Sequence, residues 1–179
     1  MNFCRRRFNL YFAPVAALLL AVSGCAYLKS EFDDKPRAAL RVHIESGVSA
    51  SGTQKISLIR AQPVMVTVNS DPVLTEANVT AAKLLDTAGG FAVELKFDET
   101  GGWALEEATA VNPDKHLVIF GQWSDKVADS RWLAAPLVAH RIGDAKLVFT
   151  PDASRAEMEV LVKGLNAEAK KTAGINSKD

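Results

Sequence analysis

The chain has 179 residues, with 21 basic and 21 acidic side chains that balance to a formal charge of zero, and 48% of its residues are hydrophobic. That length suits one domain with a core of its own, and the charge balance offers no electrostatic footprint for nucleic acid. Its two cysteines, Cys4 and Cys25, both lie near the N-terminus, so the rest of the chain has neither a disulfide nor a thiol nucleophile.

Arg5, Arg6 and Arg7 form a positive start, and residues 10–22 are apolar apart from Pro14, a stretch too short to span a bilayer comfortably. The run Leu20-Ala21-Val22-Ser23-Gly24-Cys25 follows. It resembles a bacterial lipobox, which implies a signal peptide over residues 1–24, a diacylglycerol on Cys25, and Cys25 as the first residue of the mature chain. An ordinary secretory signal and an uncleaved anchor are the alternatives, and all three place the remainder outside the cytoplasm; the lipidated reading puts it in the cell envelope, facing the periplasm. Residues 25–179 hold 18 basic against 21 acidic side chains, so no polybasic patch assists binding to anionic lipid and membrane attachment falls to the acyl chains. Ala26, in place of the aspartate that retains some lipoproteins at the inner membrane, favours the outer membrane.

Residues 25–37 are mixed, charged and aperiodic, and read as a tether; one domain is expected over residues 38–170, with a polar tail over 171–179. Leu40, Val42 and Ile44 alternate with Arg41, His43 and Glu45, the pattern of a half-buried strand. A turn-rich loop over 46–53 and strand-like runs at 56–60 and 64–68 follow, with Pro63 marking a bend or an edge. Residues 75–85 place Ala77, Ala81, Leu84 and Leu85 along one side of a short helix. Gly89-Gly90 turns the chain into the amphipathic strand 91–97, in which Glu94 and Lys96 face away from the core. Asp98 caps a helix packed through Trp103, Leu105, Ala108 and Val111, and Asn112-Pro113 ends it. Strands are expected at 117–123, 133–142 and 145–149, with a polar hairpin tip over 124–131. Thr150 is the expected N-cap of a closing helix with Pro151 as its first residue, and Leu161 and Leu165 on its buried stripe. The mixed order of elements indicates an α+β fold, a mainly antiparallel sheet with helices packed on one face.

Three segments, in order, carry a resemblance. Val73-Leu74-Thr75-Glu76-Ala77-Asn78-Val79 is similar to a Val-Leu-Thr-Gly-Ala-Asp-Ile segment, residues 95–109 match a strand-to-helix stretch through Phe97, Gly101, Glu107 and Thr109, and residues 117–119 with 134–138 match a hairpin bearing an Ala-Pro step, here Ala135-Pro136. Together they resemble the head region of the first periplasmic domain of SecD, the accessory subunit of the bacterial protein-export channel, over residues 73–166. The hairpin tip at 121–131 is longer here, and the glycine-rich segment before the last helix shrinks to Gly143-Asp144-Ala145. No membrane-spanning bundle follows residue 166, and proton-driven pulling needs ionisable groups inside a membrane channel. The resemblance therefore implies a head that contacts a polypeptide or an envelope protein partner, without the motor.

Chemical motifs are sparse. His43, His116 and His140 stand at or beside strands without metal-ligand spacing and read as surface or strand-end residues, so neither a metal nor a cofactor is expected. No Gly-x-Ser-x-Gly elbow supports a secreted hydrolase, and adjacent carboxylates such as Glu106-Glu107 diverge on a helix. Trp123 and Trp132 flank the hairpin tip. Beside the reading that each packs on the core, they and Arg131 form the candidate contact surface for apolar peptide segments or a partner. The expected function is non-catalytic: protein export or the handling of translocated polypeptides, with an envelope adaptor for a folded partner as the alternative.

Overall fold

The alternation at residues 40–45 forms β1 (Ala39–Ile44), which pairs antiparallel over its whole length with β7 (Leu117–Gln122), from Ala39 opposite Gln122 to Ile44 opposite Leu117. The two-residue β4 (Leu74–Thr75) flanks β1 and β8 (Ser130–Ala134) flanks β7, giving the order β4-β1-β7-β8. This computed structural model describes residues 38–47, 52–58 and 63–176; Cys25, the signal segment and the tether lie outside them, as does most of the turn after β1.

One face of this sheet presents Leu40, Val42, Ile119 and Leu133, all fully buried, to the helices. The other face is not left to solvent. A hairpin of β2 (Thr53–Leu58) and β3 (Val64–Asn69) covers it, packing Ile56, Leu58, Val66 and Val68 against Val118 and the half-buried Trp132. This second core takes in His43, which is 4% exposed, correcting the expectation of surface or strand-end histidines. The cause is tertiary: β3 continues past the end of β1 through a Glu45–Val68 bridge, and Asn69 offers its carbonyl to the imidazole.

Residues 75–85 also depart from expectation. They are not a helix but a short 3-10 turn, Glu76–Asn78, that leads into β5 (Val79–Thr87). The spacing of Ala81, Leu84 and Leu85 fits a helical stripe, yet pairing decides: Ala82 and Leu84 lie opposite Leu95 and Val93 of β6 (Gly90–Phe97) on the core face, and Lys83 meets Glu94 outside. β9 (Lys146–Phe149) joins the far side of β6, so a second sheet runs β5-β6-β9. Gly90, at φ 141°, closes the β5–β6 turn in a conformation that side chains avoid.

The first helix, α1 (Glu99–Val111), starts where expected, with Asp98 accepting the Gly101 N–H at 2.6 Å. It packs through Gly101, Gly102, Leu105, Ala108 and Thr109, whereas Trp103 and Val111, expected in the interface, are 65% and 68% exposed. Close approach explains the choice of face. A Cβ on Gly101 would stand 2.8 Å from that of Asn78, and one on Gly102 2.8 Å from that of Ala145, so the glycines lie against the fold and Trp103 is turned outward. β8 ends at Ala134 rather than reaching residue 142, because Pro136 has no N–H to give a ladder; only a Leu137–His116 bridge continues it, and Ile142 donates its N–H to buried Thr109.

The closing helix, α2 (Arg155–Asn176), begins after Ser154 and not at Thr150. Ser154 and Glu157 form a reciprocal capping box, with Ser154 N–H donating to the Glu157 carboxylate at 2.8 Å and Glu157 N–H to the Ser154 hydroxyl at 3.3 Å. Met158, Leu161 and Leu165 are buried against the first sheet and β5. The helix runs on through residues 171–176, part of the expected polar tail. Near its middle, Asn166 donates to the Ala82 carbonyl at 2.8 Å and accepts the Ala82 N–H at 2.9 Å, standing in for a partner strand on the outer edge of β5.

Ala145 sits at φ 54° directly beneath Gly102. Gly102→Ala should destabilise the fold by about 2 kcal/mol in urea unfolding. Adding Ala145→Gly should recover a large part of that loss, because it removes both the opposing Cβ and a left-handed alanine costing about 1 kcal/mol. Strictly additive effects would rule out the contact.

Candidate polypeptide-contact surface

The register of β7 and β8 decides how Trp123, Arg131 and Trp132 relate. Phe120 lies opposite Trp132 and Gly121 opposite Arg131, so Arg131 and Trp123 share the helix-facing side of the sheet and Trp132 the hairpin-facing side. The three do not make one surface. Trp123 is 6% exposed and belongs to the main core, with the Arg131 guanidinium carbon 5.2 Å from its ring centroid. Arg131 also pairs with Glu157 at 2.7 Å, tying β8 to the first turn of α2. The Ser154 backbone N–H and hydroxyl hold the Glu157 carboxyl below its ordinary range; its burial opposes this and Arg131 adds to it.

Trp132 stands edge-on to His43, with centroids 5.4 Å apart, and to Phe120 at 5.3 Å. Burial pushes the His43 imidazole below its ordinary pKa, more than the Asn69 carbonyl raises it; Arg41 lowers it further and Asp71 raises it. The connection between β7 and β8 is folded on itself: Ser124 donates to Asp129 at 2.5 Å and accepts the Lys126 N–H at 3.0 Å. His116 is placed elsewhere, with its N–H and its imidazole on the Glu45 carboxylate at 3.0 and 2.6 Å. Burial works to raise Glu45, but these two hydrogen bonds outweigh it and hold the carboxyl low. Among the described residues no group of three His, Cys, Asp or Glu converges as a metal site would require.

A more open feature lies at the second sheet. A groove of about 490 Å³ is lined by Glu94, Lys146 and Val148 of that sheet and by Leu137, His140 and Ile142 of the segment after β8. Its volume is in the range of ligand clefts. Val148 is 50% and Leu137 53% exposed. A second groove, of about 420 Å³, is lined by Trp103, Glu106, Glu107, Ala110 and Arg141, and a Glu106–Arg141 ion pair holds its rim. Sequence reasoning missed these residues. The alternation Lys146-Leu147-Val148-Phe149 marks a strand with two outward side chains, but nothing local says that the strand ends a sheet.

No family model and no curated protein matches the chain. Among solved structures it is similar to SecDF, a membrane component that enhances protein export, at 18% identity with a TM-score of 0.53, over 90% of this chain and 71% of that one. The domain has a SecD-like fold. Two further SecDF structures also match: the super-membrane-facing form at 15% identity and TM-score 0.47, and a translocon-associated SecDF from Thermus thermophilus at 14% and 0.39. Each is matched over 86% of this chain, which spans about a third of their length. The SecD-like fold reaches beyond residues 73–166, where the sequence resemblance lies, and it is α+β and mainly antiparallel, as the order of elements indicates. Among the described residues no helix is long and apolar enough to cross a membrane.

Because the folded state disfavours the charged His43, the unfolded chain takes up that proton first. Stability should therefore be fully present above about pH 7 and fall as the pH drops through the ordinary histidine range toward about pH 5. Urea midpoints should decline over that window in the parent and less in His43→Phe; equal declines would exclude His43 as the cause.

Proposed function

We propose that this protein is a lipid-anchored envelope protein whose domain contacts extended polypeptides during or after export, without catalysing a reaction. The SecD-like fold carries the proposal: a solved protein with this fold enhances protein export. The open groove along the second sheet supports it, since an unfolded chain presents apolar side chains and unpaired backbone, and the groove offers Val148 and Leu137 beside a sheet edge. Arg131 and Trp132 remain candidate contact residues on opposite faces of the first sheet, and Trp123 supports Arg131 from beneath. The lipobox-like run ending at Cys25 supports the anchor and a periplasm-facing domain; Ala26 favours the outer membrane. The lipid then supplies the membrane attachment of this domain.

One observation favours the alternative of an adaptor for a folded partner. Trp103, Ala110 and Val111 lie exposed along one stripe of α1, where an apolar partner surface can pack.

Cys25→Ala should move the protein from the membrane to the soluble fraction, and unchanged membrane association would exclude the lipid anchor. Photo-crosslinking in cells from Leu137 and Lys126 should give a heterogeneous set of exported chains, enriched when export is active. A single adduct of fixed mass, formed from Trp103 as well, would replace this reading with the adaptor.

A further inference from the structure

β9 is the last strand of the β5-β6-β9 sheet. Phe97 donates its N–H to the Ala145 carbonyl at 3.0 Å, which makes residues 97 and 145 a hydrogen-bonded pair in the β6–β9 ladder. By antiparallel alternation, Leu147 and Phe149 also turn their backbone groups toward β6, while Lys146 and Val148 turn theirs outward. Within the described chain, the only bond to these outward groups comes from the Asp144 carboxylate, which accepts the Lys146 N–H at 3.3 Å. The N–H of Val148 and the carbonyls of both residues therefore face the groove, and an unpaired edge of this kind is a template for another strand.

Charge and side-chain order specify the strand that fits. Lys96 and Lys146 lie directly opposite each other on the outer face of the sheet, a like-charge pair that disfavours its own geometry. No acidic side chain of the described residues reaches either amine: Glu94 is held by Lys83 at 2.9 Å, and Asp144 bonds backbone. The next row outward from Lys83 and Glu94 ends in exposed Val148. A strand added beside β9 would place one side chain next to Lys146 and another, two residues away on the same face, next to Val148. We infer that the groove takes an extended polypeptide by strand addition to β9, and that it selects segments with a carboxylate beside Lys146 and an apolar residue two positions along, beside Val148 and Leu137.

The inference rests on the polypeptide-handling reading and can fail without it. The test uses the full chain in detergent, at low salt, with three short synthetic peptides that are identical except for a Val-Thr-Glu, Val-Thr-Gln or Val-Thr-Lys core. The glutamate peptide should bind about tenfold more tightly than the lysine peptide, with glutamine between, and should slow hydrogen exchange at the Val148 amide. Lys146→Glu places opposite charges across β6 and β9, so the fold should persist while the preference turns toward the lysine peptide. Equal affinities for the three peptides would overturn the selection by Lys146, and free exchange at Val148 in the bound state would overturn strand addition. So would Val148 protection that grows with protein concentration in the absence of peptide, which would assign the edge to a second copy of this chain. If exported chains still crosslink at Leu137 in cells after either result, polypeptide handling stands and this mode of capture falls.

Discussion

The pairing of β1 with β7 is the constraint on which the rest of the molecule depends. It joins two strands far apart in the sequence and creates two surfaces at once: a helix-facing side on which Leu40, Val42 and Ile119 disappear, and a hairpin-facing side carrying His43 and Val118. Neither core can form without it, because each draws residues from both strands on one side of the ladder. The intervening chain folds its own sheet, β5 with β6, before returning, so closure is non-local, a topology associated with slow folding. β9 and α2 are added last in sequence and lock the two sheets together, through Phe149 and Leu147 against β6 and through Met158 and Leu161 in the shared core.

Legibility in the sequence followed how local each decision was. β6 was plain because its alternation and its turn sit within ten residues, and the Asp98 cap of α1 because capping is settled inside one helical turn. Residues 75–85 were ambiguous because alanine and leucine at helical spacing also satisfy a strand once a partner is present, and that partner lies beyond the Gly89-Gly90 turn. The start of α2 is ambiguous in sequence because Thr150-Pro151 is a sound local start, while the Ser154–Glu157 box that wins is as local but lies one turn on. His43 reads as a surface group because nothing beside it in sequence foretells a hairpin folding over that face. The tryptophans illustrate the harder case. They flank the hairpin tip as the sequence indicates, but an irregular step between Ile119 and Phe120 puts Trp132 opposite Phe120, on the side away from Trp123, and no pattern in the segment announces it.

The two faces of the first sheet are therefore committed to packing, and the surfaces left open belong to the second sheet and to α1. An aromatic ring that flanks a loop is a weak guide to function when the sheet beneath it is covered on both sides. Exposed residues held by rigid neighbours are more informative: Val148 on a short strand, Leu137 fixed by its bridge to His116, and Trp103 displaced outward because two glycines bring the other side of its helix into contact.

The amide of Asn166 has a wider consequence. By occupying both backbone groups of Ala82, it blunts the edge of β5 where α2 lies along it, at the end of the sheet opposite β9. A sheet with two open ends can add strands without limit, which is the route to fibres. A sheet stoppered at one end can pair with one other copy of this chain through β9, but it cannot run on from copy to copy through both of its ends. That asymmetry separates pairing at a single edge from polymerisation.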